Sequence, residues 1–275
     1  LTITRFPNNI FYVLSSTASE IRDLDWFNHH LKKDENVIIK NVTQDYGVLV
    51  LAGPNSRKVL SQLTSQNLHN NDFPWLKGKE ILINKIPVRA LRVNYVGELG
   101  WELHHPMNQM GPLYDAIYEV GKKEQIINFG TYAVNSLRME KAYRGWGSEL
   151  TGEISLVEAG MDRFYNLNKK NNFIGAKAIQ DKIQSGVDIK IVYLEVDIED
   201  VDARGNEPVY HNNKVVGVVT SGGYGFRSKK SLAFAYIKSD LLEDSNLEIE
   251  IQGKKRKAKI LHKVVYDPEN KKLTA

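Results

Sequence analysis

Tyr95-Val96-Gly97-Glu98-Leu99-Gly100-Trp101-Glu102 sets two glycines among apolar β-formers. Glycine enters backbone regions closed to other residues, so the pair predicts a tight bend leading into a strand. Such a bend can deliver an aromatic ring and a carboxylate to one place. Further along come Ser136-Leu137-Arg138-Met139-Glu140-Lys141 and then Tyr143-Arg144-Gly145-Trp146-Gly147. The first of these brings an arginine on a predicted helix. A ring, a partly buried carboxylate and a guanidinium together suit a flat, polar heterocycle.

Working outward, residues 1–14 predict two short strands joined by the turn-forming Pro7-Asn8-Asn9. Residues 18–33 carry Ile21, Leu24 and Leu31 at helical spacing. The apolar runs 37–42 and 47–51 predict strands, and Gly53-Pro54 opens a helix that turns Val59, Leu60 and Leu63 inward. Residues 81–93 predict a strand pair around Asn84-Lys85, followed by strand, bend and strand. Helices are expected over 112–122, with Leu113, Ile117 and Val120 inward, and over 131–142, with Val134, Leu137 and the Lys141 stem inward. This mixture of helices and hairpins defines an α+β class. Near Ser185-Gly186 the character changes. Segments 190–197, 215–220, 232–237, 247–251 and 258–265 predict short strands separated by Gly, Asn and Asp turns, which reads as a small β-barrel. The expected division is 1–184 and 185–275. No internal repeat is visible.

Composition excludes several classes. Cysteine is absent, which removes disulfides, thiolate catalysis and cysteine zinc sites, and fits a reducing compartment. The histidine pairs His29-His30 and His104-His105 point different ways within each pair, and no HExxH occurs, so no metal is expected. No apolar run has bilayer length, so no membrane partner is expected. The formal net charge is +4, and the one dense basic run is Lys254-Lys255-Arg256-Lys257-Ala258-Lys259. It reads as a solvated hairpin; a nucleic-acid surface would need interleaved aromatics. The Gly222-Gly223-Tyr224-Gly225 run is not followed by a helix and reads as a turn, not a phosphate cradle. The chain opens at Leu1 inside a predicted strand, so a piece of something longer is expected.

Taken in order, these segments resemble the folate-binding half of the glycine-cleavage T-protein superfamily. The nearest resemblance is to the carboxy-terminal half of dimethylglycine and sarcosine dehydrogenases. It also includes Leu1-Thr2-Ile3-Thr4-Arg5, Asn172-Phe173-Ile174-Gly175 and Val219-Thr220-Ser221-Gly222-Gly223-Tyr224-Gly225. The fold it implies is a folate-binding α+β core followed by a small C-terminal barrel.

The resemblance also implies site residues. As a bare residue Glu102 reads as an exposed strand glutamate; the resemblance places the pterin-binding glutamate there, accepting the two neighbouring N–H donors of the pterin's pyrimidine edge. Tyr95 reads as a core aromatic on its own and as a folate-site tyrosine by resemblance. Arg138 reads as a core-edge arginine pairing with Glu140 or Glu102, and by resemblance as the second pterin contact. Trp146 reads as simple packing in a Gly-rich loop or as the aromatic beside the cofactor. The family's catalytic aspartate would precede Leu1, and Ser16 stands where T-proteins carry a cofactor-touching asparagine.

What the resemblance implies for function is a tetrahydrofolate-binding, one-carbon-transfer portion of an FAD-dependent N-methyl amine dehydrogenase, giving 5,10-methylenetetrahydrofolate. Its partners would be folate, a small N-methyl amine and an upstream flavin domain holding FAD. The segment alone is expected to be inactive, in the cytoplasm or the mitochondrial matrix. The basic run could then attract an acidic folate polyglutamate tail. The alternatives are a stand-alone aminomethyltransferase, a folate-dependent demethylase, and a non-enzymatic structural module.

Overall fold

The computed structural model describes residues 1–170, 173–243 and 246–275, so Asn172 of the resemblance lies outside the described residues. The chain forms two compact units, Leu1–Asn128 with Glu269–Ala275, and Phe129–Pro268.

In the first unit β1 (Thr2–Arg5) and β2 (Phe11–Leu14) form an antiparallel hairpin. Asn8 and Asn9 supply the positive φ its connection needs. Helix α1 (Glu20–His30) follows, shorter than the predicted 18–33, and buries none of its residues. Strand β3 (Tyr46–Ala52), helix α2 (Ser56–Leu60), strands β4 (Gly78–Ile83), β5 (Ile86–Leu91) and β6 (Gly100–Pro106), and helix α3 (Met110–Gly121) complete the element list. The four strands β3 to β6 make one antiparallel sheet in the order β3-β6-β5-β4. Strand periodicity divides its side chains by face. Leu51, Ile81, Ile83, Val88, Ala90, Trp101 and Leu103 turn toward Leu113 and Ile117 of α3 and form the core. On the opposite face Phe6 and Tyr12 of the hairpin cover Leu91.

Two sequence expectations fail in this unit. Residues 37–42 form no strand, and Val37 and Ile38 are exposed. An apolar run becomes a strand only where a sheet edge accepts it. No separate strand precedes the bend either; β5 runs directly into it and pairs with β6 beyond it.

The second unit contains α4 (Thr131–Glu140), α5 (Ala176–Ser185), and strands β7 (Ile189–Val196), β8 (Pro208–His211), β9 (Lys214–Gly225), β10 (Lys230–Lys238), β11 (Leu247–Ile251) and β12 (Lys254–Ile260). The six strands close into a barrel in the order β10-β7-β12-β11-β8-β9. Small and branched side chains fill its interior, among them Leu194, Val209, Ala233, Ala235, Ile249 and Ala258. The outward residues Tyr193, Leu232, Phe234 and Tyr236 form a second cluster with Met139 of α4. Residues 129–184, assigned by sequence to the first region, thus share a compact unit with the barrel strands.

Three local corrections follow. Gly222-Gly223-Tyr224-Gly225 is not a turn: it is the end of β9, paired with β10 from Gly222↔Ala233 to Gly225↔Lys230. A Cβ on Gly222 would lie 2.3 Å from the Ala203 carbonyl oxygen, and one on Gly225 2.7 Å from Glu140 Cγ, so these glycines serve close approach. Strand β8 was not expected, being four residues long with proline first. Strand β12 begins earlier than predicted, because Gln252 and Gly253 both adopt positive φ and close a two-residue hairpin. The basic run is therefore a strand. Glu248 and Glu250 lie opposite Lys257 and Lys255 in its register, and Glu195 lies opposite Lys259. Cross-strand acids offset most of its charge locally.

Candidate functional site

Tyr95 and Glu102 belong to the first unit, Arg138 and Trp146 to the second.

The glycine bend is built around Asn94. Its Oδ1 accepts the backbone N–H groups of Val96 and Gly97, each at 3.0 Å, and its Nδ2 donates to the Glu98 carbonyl at 2.7 Å. Gly97 supplies the positive φ, 75°. Gly100 has another role: a Cβ there would lie 2.6 Å from the Leu51 carbonyl oxygen, so only glycine lets β6 close on β3 at this point. Tyr95 lies on the bend and is 38% exposed.

Glu102 and His104, two residues apart on β6, share the sheet face opposite the main core. Val50 and Leu91 stand directly across from Glu102; Val48 and Arg89 stand across from His104. Val48 and Val50 are exposed while Leu91 is buried, so the carboxylate sits beside an open apolar strip. Glu102 Oε2 lies 3.3 Å from His104 Nε2, and among the described residues Oε1 accepts no hydrogen bond. His104 is buried, and its Nδ1 lies 3.2 Å from the Tyr12 hydroxyl. Burial raises the Tyr12 pKa, an effect opposed by the Arg89 cation. The Arg89 guanidinium lies 4.9 Å from the Tyr12 ring centroid and 5.0 Å from that of Tyr46, and it pairs with Glu80 at 3.0 Å. Tyr12, His104 and Glu102 thus form a chain that the sequence reading missed. The available signal was the i, i+2 spacing of Glu102 and His104 on a predicted strand.

In the second unit Arg138 is buried near the end of α4, beside Met139, Glu140 and Lys141, all buried as well. The predicted inward face of Val134 and Leu137 is only half-buried. Arg138 pairs with neither Glu140 nor Glu102. Its Nη1 donates to Glu149 at 2.9 Å and to the Tyr143 carbonyl at 3.1 Å, and its Nε to Asn135 Oδ1 at 3.0 Å. Glu140 instead accepts the N–H groups of Arg227 and Ser228 in the β9–β10 connection.

Glu149, which the sequence reading did not single out, is fully buried. Besides Arg138 it accepts from the Gly145 N–H at 2.6 Å and from the hydroxyls of Ser148, Thr220 and Ser221 at 3.0, 2.7 and 2.5 Å. Burial opposes its ionisation, but the Ser221 hydrogen bond, the Arg138 cation and the other donors outweigh that and hold its pKa below the ordinary 4.5. This carboxylate ties α4 to the loop 143–150, on which Trp146 is 45% exposed. Gly147 turns that loop with φ 89°. No signal in the local sequence separated Glu149 from a surface glutamate, because Arg138 of α4 and Thr220 and Ser221 of β9 reach it from outside its own loop.

No group of three or more candidate metal-binding side chains occurs among the described residues. None of the described helices is long and apolar enough to cross a membrane.

The two folds and their order along the chain match known families. Residues 1–169 match the family model of the GCVT N-terminal domain, and residues 190–267 that of the glycine cleavage T-protein C-terminal barrel domain. The chain belongs to the glycine cleavage T-protein family. Within that family it is 42% identical, over 99% of its length, to dimethylglycine dehydrogenase, mitochondrial, of Homo sapiens, and spans 32% of that protein. It is 31% identical, over 91% of its length, to an aminomethyltransferase of Geobacillus sp. (strain WCH70), spanning 68% of it. Crystallographic glycine cleavage system aminomethyltransferase T from Bartonella henselae superposes with a TM-score of 0.83, covering 97% of this chain and 71% of that one at 22% identity. The last comparison establishes the fold, and the α+β core with its closed C-terminal barrel agrees with the resemblance drawn from sequence.

Proposed function

We propose that this chain binds a reduced folate and forms the one-carbon-transfer portion of a longer, FAD-dependent N-methyl amine dehydrogenase of the dimethylglycine or sarcosine kind. The observation that carries the reading is Glu102: a half-buried carboxylate on the strand after the glycine bend, steadied at Oε2 and open at Oε1. The chemistry of this donor set fits a reduced pterin. Two adjacent N–H groups need a carboxylate with acceptor capacity left over, and the flat ring needs apolar surface such as Val48 and Val50. Tyr95 contributes an exposed ring at the same bend. Within the second unit Arg138 is fixed by Glu149, and its role as a ligand contact stands on the resemblance alone.

Tetrahydrofolate, when bound, supplies a nitrogen that takes up the carbon released as an iminium by amine oxidation. The chain's own residues hold, orient and exclude water. The resemblance assigns proton management to an aspartate just ahead of the first strand, and the residues described above position the ligand. Its compartment is the cytoplasm or the mitochondrial matrix; the dehydrogenase relative is named as mitochondrial.

Calorimetric titration with 5-formyltetrahydrofolate tests the reading. We expect Glu102→Gln to weaken binding by about tenfold or more, since a charge-assisted pair is lost. Equal binding by parent and variant would defeat the assignment. The stand-alone aminomethyltransferase reading is favoured by the share of the Geobacillus protein that is covered; the residues before Leu1 discriminate, through the presence or absence of a flavin-binding fold.

A further inference from the structure

We propose that His104 is a positioning residue for the ligand: its Nε2–H holds Glu102 Oε2, Tyr12 holds the tautomer, and Oε1 is thereby kept open to paired N–H donors. The inference rests on the folate reading of Glu102. A carboxylate has only acceptors, so the proton shared at 3.3 Å sits on His104 Nε2. In the neutral ring Nδ1 is then a lone pair, and the Tyr12 hydroxyl at 3.2 Å donates to it.

Three features make the arrangement specific. Burial raises the Tyr12 pKa, which keeps its hydroxyl a donor. Tyr12 is itself fixed, its ring 5.4 Å from the His104 ring and crossed by the Arg89 guanidinium, which Glu80 holds from the next strand. His104 is 2% exposed, so water does not compete for the hydrogen bond. A free glutamate side chain samples several rotamers, and holding one oxygen selects the rotamer that presents the other. His104 does not touch the ligand in this scheme; it acts through Glu102.

Nitrogen-15 NMR of the full chain with labelled histidine, and calorimetry with 5-formyltetrahydrofolate, test it together. In the spectrum His104 should carry its proton on Nε2, and that resonance should move in Glu102→Gln. A proton on Nδ1 would overturn the scheme without any ligand being needed. In calorimetry His104→Leu should weaken binding by about tenfold, His104→Gln, which keeps a donor, should stay within about threefold of the parent, and Tyr12→Phe should fall between them. The double variant Glu102→Gln/His104→Leu should bind no worse than Glu102→Gln alone. Should His104→Gln fall as far as His104→Leu, the residue is packing only. If Glu102→Gln weakens binding while His104→Leu does not, this inference fails and the folate reading stands. If Glu102→Gln binds like the parent, both fall.

Discussion

At the residue scale, the decisive group is Glu149. Arg138→Ala would strand it in a buried setting, so we expect a loss of about 3–5 kcal/mol in urea unfolding, far more than for Trp146→Ala on its exposed loop. A binding defect in Arg138→Ala is therefore not clean evidence of ligand contact, and stability must be measured beside affinity. Glu149 also predicts a pH dependence. Its folded pKa lies below its unfolded value of 4.5, so its stabilisation is fully present above that value and is lost as pH falls through the lowered folded pKa. The urea midpoint should drop on acidification below pH 4.5, and Glu149→Gln should lack that component of the slope.

At the scale of elements, the bend and the barrel strand use glycine for close contact. Gly100→Ala would push a methyl against the Leu51 carbonyl and the Ala52 Cα at 2.8 Å. The β3–β6 ladder must then part where it carries Val50 and Glu102, and we expect a loss of about 1–3 kcal/mol in thermal or urea unfolding together with weakened folate binding. Asn94→Ala removes the side chain that holds three backbone groups of the bend. A smaller loss, about 1–2 kcal/mol, should follow, with the exposed Tyr95 reporting the change in its fluorescence. On β9 the glycines do equivalent work for α4. Asn135 and Ser136 donate to the carbonyls of Gly222 and Tyr224 at 3.0 and 2.6 Å; a Cβ at 223 would lie 3.1 Å from the Asn135 Nδ2, and one at 225 would lie 2.7 Å from the Glu140 Cγ.

For the whole molecule, a ligand that binds only the folded chain must raise its melting temperature. At a hundred times the dissociation constant, 5-formyltetrahydrofolate should add about 2.7 kcal/mol of stability. For a chain of this size that shifts the melting point by several degrees, roughly 2–4 °C per kcal/mol, by differential scanning fluorimetry. Glu102→Gln should reduce the shift. The closing residues Glu269–Ala275 belong to the first unit, where Arg57 and Arg92 each donate to the Ala275 carbonyl at 2.7 Å. Burial, with the neighbouring Arg57 cation, brings the Arg92 pKa down to about 10. The chain therefore leaves its first unit at residue 128 and returns to it at residue 269.

Amino-acid order by itself determined the fold class, the hairpins at Pro7-Asn8-Asn9 and Asn84-Lys85, the inward faces of α2 and α3, the barrel, and the family. Those features rest on local rules: period-two and period-3.6 patterning, turn residues with positive φ, and motif order. Tertiary structure alone decided the rest. It left 37–42 without a strand partner, turned Gly222–Gly225 from a turn into a strand, gathered five donors around Glu149, and set Tyr12 against His104, ninety-two positions away. A buried carboxylate is stabilised only by donors that packing brings to it, and a strand exists only where another edge accepts its hydrogen bonds. Neither condition is written in any window of neighbouring residues.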